Sequence, residues 1–365
     1  MILLLLAPAV YASQWQPARP DYAWSFPQDH WVRPGYRTEW WYFTGHVTSR
    51  GAPHRRFGYQ FTFFRVGLLP EHPDLQSGWA TNNLIMGHAA ITDLAGGRHL
   101  FSEVMYRAIP LLGGFSRYPD PLIAWSRAPA GTDDTWTLRW NGEAFDFAMR
   151  DDARGMAFHL STRPGKRLVF QGPNGFSRKG EGPGAASQYY SFTRLLTEGT
   201  LSIDGDTVGV RGESWMDKEF GSNQLSAHQV GWDWFSLQLE DGREVMLYML
   251  RDQRGATDFA RGTVVSREGE ARFLAAGEWS VQSTRTWRSG ATGAEYPSRW
   301  VVELPGEDLR MSLVPELAEQ ENQSRLLGNL FYWEGAVRVE SLAGDRLGRG
   351  YVELVGYGTS SRPAI

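Results

Sequence analysis

The alternation of apolar and polar residues along the chain predicts β-strands. The two kinds of residue alternate over residues 59–63, 136–140, 145–147 and 237–239, as expected for strands that bury one face. Residues 245–250 are apolar throughout, which predicts a strand covered on both faces. The dominant predicted element is therefore the strand.

Turn signals separate these strands. Asn141-Gly142, Asp204-Gly205 and Asp241-Gly242 are typical of tight β-hairpins. Residues 172–184 are rich in glycine and proline and predict a surface loop, and residues 316–326 are the one short helix that the pattern allows. Many short strands with regular turns favour barrels or sandwiches and an all-β fold class.

The length of 365 residues fits two domains of ordinary size. A boundary near residues 222–230 divides the chain into predicted domains 22–222 and 223–362. Residues 1–12, MILLLLAPAVYA, read as a signal peptide cleaved after Ala12. We therefore expect a secreted or periplasmic protein. No other run is long enough to span a bilayer, so an integral membrane protein is not expected.

The amino-acid composition excludes several classes of functional site and partner. There is no cysteine, which excludes disulfides, thiolate metal sites and cysteine nucleophiles. The net charge of −4 is spread without a basic stripe, so no nucleic-acid partner is expected. The eight histidines lack ligand spacing, and motifs for hydrolases, nucleotides or cofactors are absent. We predict no metal and no cofactor.

The sixteen tryptophans and the carboxylates beside them are the distinctive feature. Side chains alternate along a strand, so Trp215, Asp217 and Glu219 share one face. A carboxyl among aromatic rings loses hydration, its pKa rises and it can donate a proton near neutrality. The alternative is that such carboxylates, Glu39 and Glu353 above all, only tie the structure together through a partner such as Arg65.

Motifs along most of the chain resemble the carotenoid 1,2-hydratase (hydroxyneurosporene synthase) and AttH-like family of lipocalin-like proteins. The resemblance rests on motifs in both predicted domains: Glu39-Trp40-Trp41-Tyr42, residues 58–65, residues 88–93, Tyr189-Tyr190-Ser191, Trp215-x-Asp217-x-Glu219-Phe220-Gly221, Gly231-Trp232-Asp233-Trp234 and Gly350-Tyr351-x-Glu353. It implies two tandem lipocalin-like (calycin) β-barrels with a pocket between or within them.

The resemblance also implies a function and a site. Members of the family include hydratases of isoprenoid double bonds and cyclases of polyketides, and many secreted bacterial members are labelled predicted hydrolases. The hydratases use an aspartate as proton donor, which corresponds to Asp217, with an H-x-W motif upstream where this chain has Gln188-Tyr189-Tyr190. The implied ligand pocket comprises Glu39, Trp41, His88, Gln188, Tyr189, Tyr190, Trp215, Glu219, Tyr351 and Glu353.

Three interpretations stay open. The first is a secreted enzyme, hydratase-like or a cyclase, that converts a large isoprenoid, polyketide or lipid-like molecule with Asp217 as general acid. The second is a non-catalytic periplasmic carrier of lipid. The third is an envelope accessory protein that works with an exporter or transporter. The first two share an apolar small-molecule ligand and an apolar cavity.

Overall fold

The computed structural model describes residues 14–358 except residues 52, 183, 224 and 329, so the predicted signal peptide lies outside the described residues. Within the described part, strands form two antiparallel sheets, and the helices are three short 3-10 turns, Gln28–His30, Pro173–Gly175 and Pro305–Glu307. None of these helices is long and apolar enough to cross a membrane. The predicted all-β class with two barrels is confirmed.

The first sheet uses the N-terminal part of the chain. The strands are β1 (Thr38–Ser49), β2 (Arg56–Gly67), β3 (Asn83–Asp93), β4 (Arg98–Arg107), β5 (Gly113–Phe115), β6 (Leu122–Arg127), β7 (Thr135–Trp140), β8 (Phe145–Asp151), β9 (Met156–Pro164), β10 (Val169–Phe170), β11 (Phe176–Arg178), β12 (Ala186–Ile203) and β13 (Asp206–Gly221). Their order in the sheet is β4-β3-β2-β1-β13-β12-β9-β8-β7-β6-β5, and β10 and β11 also pair with β12. Because β5 and β6 return beside β4, the sheet nearly closes into a barrel.

The second sheet begins after residues 222–228, where the chain leaves the first sheet. Its order is β17-β16-β15-β14-β23-β22-β20-β19-β18, with β21 paired to β22. The strands are β14 (Gln229–Leu239), β15 (Glu244–Asp252), β16 (Thr257–Val265), β17 (Ala271–Leu274), β18 (Ser280–Arg288), β19 (Glu295–Leu304), β20 (Leu309–Pro315), β21 (Glu321–Ser324), β22 (Leu330–Glu340) and β23 (Arg346–Val355). The domain boundaries at residues 222 and 223 stay a prediction.

The predicted hairpins are present. Asp204-Gly205 joins β12 to β13, and both residues have positive φ values, 51° and 84°. Two successive positive φ values match the right-handed twist of the flanking strands, and glycine adopts this conformation without steric cost. Asn141-Gly142 and Asp241-Gly242 likewise lie between paired strands.

Two local predictions were wrong. Residues 316–326 form no helix but contain β21, because pairing with β22 outweighs a weak helical pattern. Residues 172–184 are not simply a surface loop. They hold a 3-10 turn and β11, and Ser177 and Lys179 are buried.

Both barrels are filled by their own side chains. In the first barrel, Phe61 stacks on Phe147 with ring centroids 5.0 Å apart, and Trp136 is buried beside them. In the second barrel, Trp300 packs against Phe235 and Trp333. Because aromatic rings occupy both interiors, space for a ligand must lie elsewhere.

Candidate functional site

The main cavity lies between the two barrels and has a volume of about 510 Å³. Its walls include side chains of β1, β2, β3, β12 and β13 from the first sheet and of β14, β15, β22 and β23 from the second. This volume lies in the range of pockets for small molecules. Aromatic side chains dominate the walls, including Trp40, Tyr42, Phe64, Trp232, Trp234 and Tyr332.

Asp217 projects into this cavity from β13 and is 3% exposed. Its Oδ1 accepts hydrogen bonds from Ser191 Oγ at 2.5 Å and Trp215 Nε1 at 2.7 Å, and its Oδ2 accepts one from Tyr189 Oη at 2.6 Å. Burial raises the pKa of Asp217 to about 7, and the three donors only partly offset burial. The carboxyl is thus held in a fixed orientation and titrates near neutral pH.

Both barrels contribute to the surroundings of Asp217. Trp234 on β14 donates from Nε1 to Tyr189 Oη at 3.3 Å, and Tyr189 in turn donates to Asp217. The Trp215 and Trp234 rings also meet edge to face, with centroids 6.2 Å apart. The acid and its donors therefore depend on the contact between the barrels.

Glu219, two residues along β13, has a charged partner. Lys179 Nζ lies 2.8 Å from Glu219 Oε1, and Ser187 Oγ donates to the same oxygen at 2.5 Å. Burial alone would lower the pKa of Lys179, but Glu219 outweighs it and the pKa is raised. The ammonium also lies 4.5 Å from the Tyr248 ring. This pair is neutral overall.

The opposite wall carries two carboxyls from the second barrel. Glu334 on β22 and Glu353 on β23 are direct cross-strand partners and both line the cavity. Glu353 Oε2 accepts from Trp232 Nε1 at 2.8 Å, and Glu334 Oε2 accepts from Asn322 Nδ2 at 3.2 Å. Burial raises the pKa of Glu353 to about 7, and burial together with Glu353 raises the pKa of Glu334 well above its ordinary value.

His88 reaches the cavity from β3 and contacts the second barrel. Its Nδ1 lies 2.7 Å from Tyr332 Oη, and the two rings stack with centroids 5.8 Å apart. Burial lowers the pKa of His88 to about 3. The imidazole is therefore neutral at physiological pH and serves as a polar contact between the barrels.

Glu39 borders the cavity, but its carboxylate is occupied by other groups. Arg65 Nε donates to one oxygen, and Lys218 Nζ lies 2.5 Å from the other. Burial alone would raise the pKa of Glu39, but Lys218 and Arg65 outweigh it and hold the pKa below its ordinary value. All three side chains are at most 1% exposed, so this cluster ties β1, β2 and β13 together.

Five of the predicted lining residues lie outside the cavity lining. Trp41 and Tyr190 belong to the core of the first barrel, because adjacent residues on a strand point to opposite faces. Gln188 shares the face of Tyr190 on β12 and accepts from Arg19 N at 2.9 Å. Trp215 lies behind the cavity lining, where it donates to Asp217 and packs against Trp234.

Tyr351 is the fifth residue placed elsewhere. It is buried between the barrels, against His46 with ring centroids 5.6 Å apart. A Cβ atom on Gly58 would come within 2.6 Å of Tyr351 Oη, so glycine leaves the room that this tyrosine occupies. Of the remaining predicted residues, the cavity brings together Asp217, Glu219, His88, Tyr189 and Glu353, with Glu39 at its border.

Sequence reasoning missed several cavity residues. The most important is Glu334, which follows Tyr332 by two positions on β22 just as Asp217 follows Trp215 on β13. The same pattern of an aromatic residue and a carboxylate on one face would have found it. Tyr42 and Lys179 carried no such signal, because their role depends on contacts far along the chain.

The other cavity and the possible metal ligands are less suited to catalysis or binding than the main cavity. A second cavity of about 130 Å³ lies elsewhere between the barrels, but its Arg56 and Arg338 are ion-paired with Glu316. Within the described residues, no group of three or more histidine, aspartate or glutamate side chains is arranged to hold a metal ion. The main cavity combines aromatic walls with carboxyls that titrate near neutrality, which is an arrangement suited to proton donation to an apolar molecule.

Comparison with known proteins identifies relatives over nearly the whole chain. The model of the AttH-like family matches residues 17–357. The crystal structure of a proposed AttH from Nitrosomonas europaea is 31% identical, has a TM-score of 0.81, and the match covers 94% of this chain and 99% of that one. No curated protein matches.

Two further structures share the fold at low identity. Kievitone hydratase from Nectria haematococca is 14% identical with a TM-score of 0.65, and the match covers 95% of this chain and 97% of that one. CghA is 12% identical with a TM-score of 0.54, and the match covers 96% and 95%. At these identities the likeness concerns the fold alone.

Proposed function

This chain belongs to the AttH-like family, and from that premise we propose that it binds a large apolar molecule between its barrels and converts it by acid catalysis. The observation that carries the proposal is Asp217, a buried carboxyl that faces an aromatic cavity and has a pKa raised to about 7 by burial. A group with this pKa is protonated often enough at neutral pH to act as a general acid.

The proposed reaction is addition of water to a carbon–carbon double bond, or a cyclisation started in the same way. Asp217 gives its proton to one alkene carbon, which leaves a carboxylate and a carbocation. Aromatic side chains line the cavity around Asp217, among them Trp234 and Tyr42, and aromatic rings can stabilise positive charge. Water, or a second double bond of the same molecule, then adds to the cation, and the proton released returns to Asp217.

We propose this broad class rather than carotenoid hydration. The histidine and tryptophan that precede the aspartate in the hydratases are replaced here by Gln188 and Tyr190, and both side chains lie outside the cavity. Tyr189, between them, supplies the hydrogen bond to Asp217. Hydration is also the reaction named for the distant neighbour kievitone hydratase.

The experiment measures binding and conversion separately. Geraniol, farnesol and linoleic acid are incubated with the protein in ¹⁸O-water, and mass spectrometry detects products that have gained one labelled water. Binding is followed by fluorescence of the neutral probe N-phenyl-1-naphthylamine. Asp217→Asn should lower conversion at least ~100-fold while probe binding changes less than about twofold.

The matched control is Asp151→Asn. Asp151 is 4% exposed and accepts a hydrogen bond from Ser102 Oγ at 2.6 Å, but it lies on β8 outside the cavity. This variant should convert the substrates like the wild type. Conversion that persists in Asp217→Asn would rule out the acid role, and failure of the wild type to bind the neutral probe would rule out the apolar cavity.

A non-catalytic carrier is the second candidate. The specific observation in its favour is that leucine side chains line the cavity and one of them, Leu68, is 51% exposed, so the cavity opens at an apolar side chain; the others are Leu225, Leu327 and Leu330. Apolar side chains at an opening favour exchange of a lipid with an apolar surface. A carrier would retain a lipid after purification and release it unchanged after organic extraction, which mass spectrometry would detect.

The proposed function includes a cellular location and a partner. We place the protein outside the cytoplasm on the basis of residues 1–12. An envelope transporter that supplies or removes the apolar molecule is the partner that fits the carrier function. Fractionation of cells with an antibody against the native protein tests the location.

A further inference from the structure

The carboxyls around the cavity outnumber the cationic side chains that pair with them. Glu39 is neutralised by Arg65 and Lys218, and Glu219 is neutralised by Lys179. Three carboxyls then remain, and they occupy two walls of the cavity: Asp217, Glu334 and Glu353. Within the described residues, no lysine or arginine forms an ion pair with any of these three, and the remaining cation of the lining, Arg37, is exposed at the mouth.

One carboxyl oxygen of Glu334 also lacks a hydrogen bond of normal geometry. Glu334 is 2% exposed, and neither its Oε1 nor the neighbouring Tyr42 Oη completes a hydrogen bond of normal geometry in the described part of the chain. Burial and Glu334 raise the pKa of Tyr42, and Tyr42 in turn lowers the pKa of Glu334, so the phenol interacts with this carboxyl without completing a well-formed hydrogen bond. A ligand that brings a better-placed donor would stabilise this buried acceptor.

The surroundings of this acceptor suit a positive charge. Trp40 and Phe64 lie together on one wall with ring centroids 6.5 Å apart, and Tyr42 meets Trp234 edge to face at 5.2 Å. Aromatic faces attract a cation, most strongly where water is excluded. An ammonium group can donate to Glu334 Oε1 while its carbon substituents contact these rings.

We propose that the wall formed by Glu334 and Glu353 binds a protonated nitrogen, so that the ligand of this cavity is an apolar molecule that carries a basic amine. This inference rests on the proposed function, because it needs the same cavity to accept an apolar molecule. Glu334 and Glu353 grip the ammonium group, and the apolar part extends along the aromatic walls toward Asp217.

Amine binding is coupled to proton release. In the free protein the two carboxyls are direct partners across the strand pair. The polar groups that interact with Glu334 are Tyr42, Asn322, Tyr332 and Tyr351. Those that affect Glu353 are Trp232, Asp217 and Glu219. Like charges this close favour one shared proton. An ammonium group between them stabilises both carboxylates, so that proton leaves for solvent.

The test compares two probes of equal chain length. Decylamine is protonated at pH 7, as a lysine side chain is, and decan-1-ol is neutral. Each displaces N-phenyl-1-naphthylamine from the wild-type protein, and the amine should bind at least ~10-fold tighter. Titration calorimetry in phosphate and Tris buffers at pH 7 should show release of up to about one proton for each amine bound.

The variants are Glu334→Gln and Glu353→Gln, which keep the shape of the protonated carboxyl. Each should weaken decylamine binding ~10-fold and leave decan-1-ol within about twofold. The control is Glu321→Gln, because Glu321 is a buried carboxylate on the neighbouring β21 that accepts hydrogen bonds from Ser289 and Tyr296 outside the cavity. It should preserve the preference for the amine.

The outcomes separate the two proposals. If decan-1-ol binds and decylamine binds no tighter, the amine proposal is overturned while the apolar cavity stands. If Glu334→Gln weakens both probes equally, the wall does not recognise charge and the amine proposal is again overturned. If neither probe displaces the dye from folded wild-type protein, both proposals are overturned.

Discussion

Trp234 of the second barrel donates a hydrogen bond to Tyr189 of the first, and the same Tyr189 donates to Asp217. The acidity of Asp217 is therefore set by residues from two separate sheets. Burial raises its pKa and the three donors lower it, so each donor can be removed to measure its part.

Removal of a donor should make Asp217 a weaker acid. Trp215→Phe and Tyr189→Phe each delete one hydrogen bond to the carboxylate, so each should raise the pKa of Asp217 by ~1 unit above its value of about 7. Carbon-13 NMR of labelled aspartate carboxyls measures the titration directly. An unchanged or lower pKa would mean that the donors do not stabilise the charged form.

Asp217 should make folding less favourable as pH rises. Its folded pKa of about 7 exceeds the ordinary 3.8, so the folded state holds a proton that the unfolded state has lost between these values. The free energy of unfolding should therefore fall between pH 4 and pH 7 by up to ~4 kcal/mol on account of this group. Urea unfolding of wild type and Asp217→Asn across this range should give curves that converge or cross, whereas parallel curves would contradict the prediction.

A buried histidine should make the folded state more stable as pH rises, which is the opposite of the effect of Asp217. Burial lowers the pKa of His88 to about 3, so its contribution to stability is complete above pH 6.5 and is lost as pH falls toward 3. His88→Gln should therefore lose less stability than the wild type between pH 7 and pH 5, by ~2 kcal/mol. The comparison is made by urea unfolding at both pH values. An equal loss in both proteins would show that His88 is charged in the folded state.

The buried cluster of Glu39 should be essential for folding. Glu39→Gln leaves Lys218 and Arg65 without their carboxylate in a site where all three are at most 1% exposed, so the free energy of unfolding should fall by ~3–5 kcal/mol. The control is Glu198→Gln. Glu198 is 68% exposed and pairs with Arg50 at the surface, so its loss should cost less than ~1 kcal/mol. Equal effects would contradict a structural role for Glu39.

Period-two alternation explains how much of the architecture was predictable. It placed the strand through residues 59–63, and it put Asp217 and Glu219 on one face. The strand through residues 245–250 was predicted from a continuous apolar run. Alternation could not tell whether that face meets the core or the neighbouring barrel. The family resemblance assigned Trp41 and Tyr190 to the pocket, and the alternation could not show that they fill the first barrel instead.

The opposite wall of the site was harder to foresee. Glu334 enters the cavity through its pairing with Glu353 and through contact with Tyr42, almost 300 residues away in sequence. Such proximity is a property of how the barrels meet, which no local pattern encodes. The short helix predicted at residues 316–326 failed for a similar reason, because pairing of β21 with β22 decides its conformation.

Because the interiors of both barrels are filled, the residues that form the cores are different from the residues that line the cavity. Inward-facing side chains such as Phe61 and Trp300 hold each half together, while outward-facing side chains line the cavity between the halves. Substitutions at cavity residues outside the buried ion pairs, such as Trp40 and Phe64, consequently leave both cores intact. A small slide or tilt of one half against the other would redraw the binding surface without unfolding either, so this scaffold can acquire new specificities at little cost to its stability.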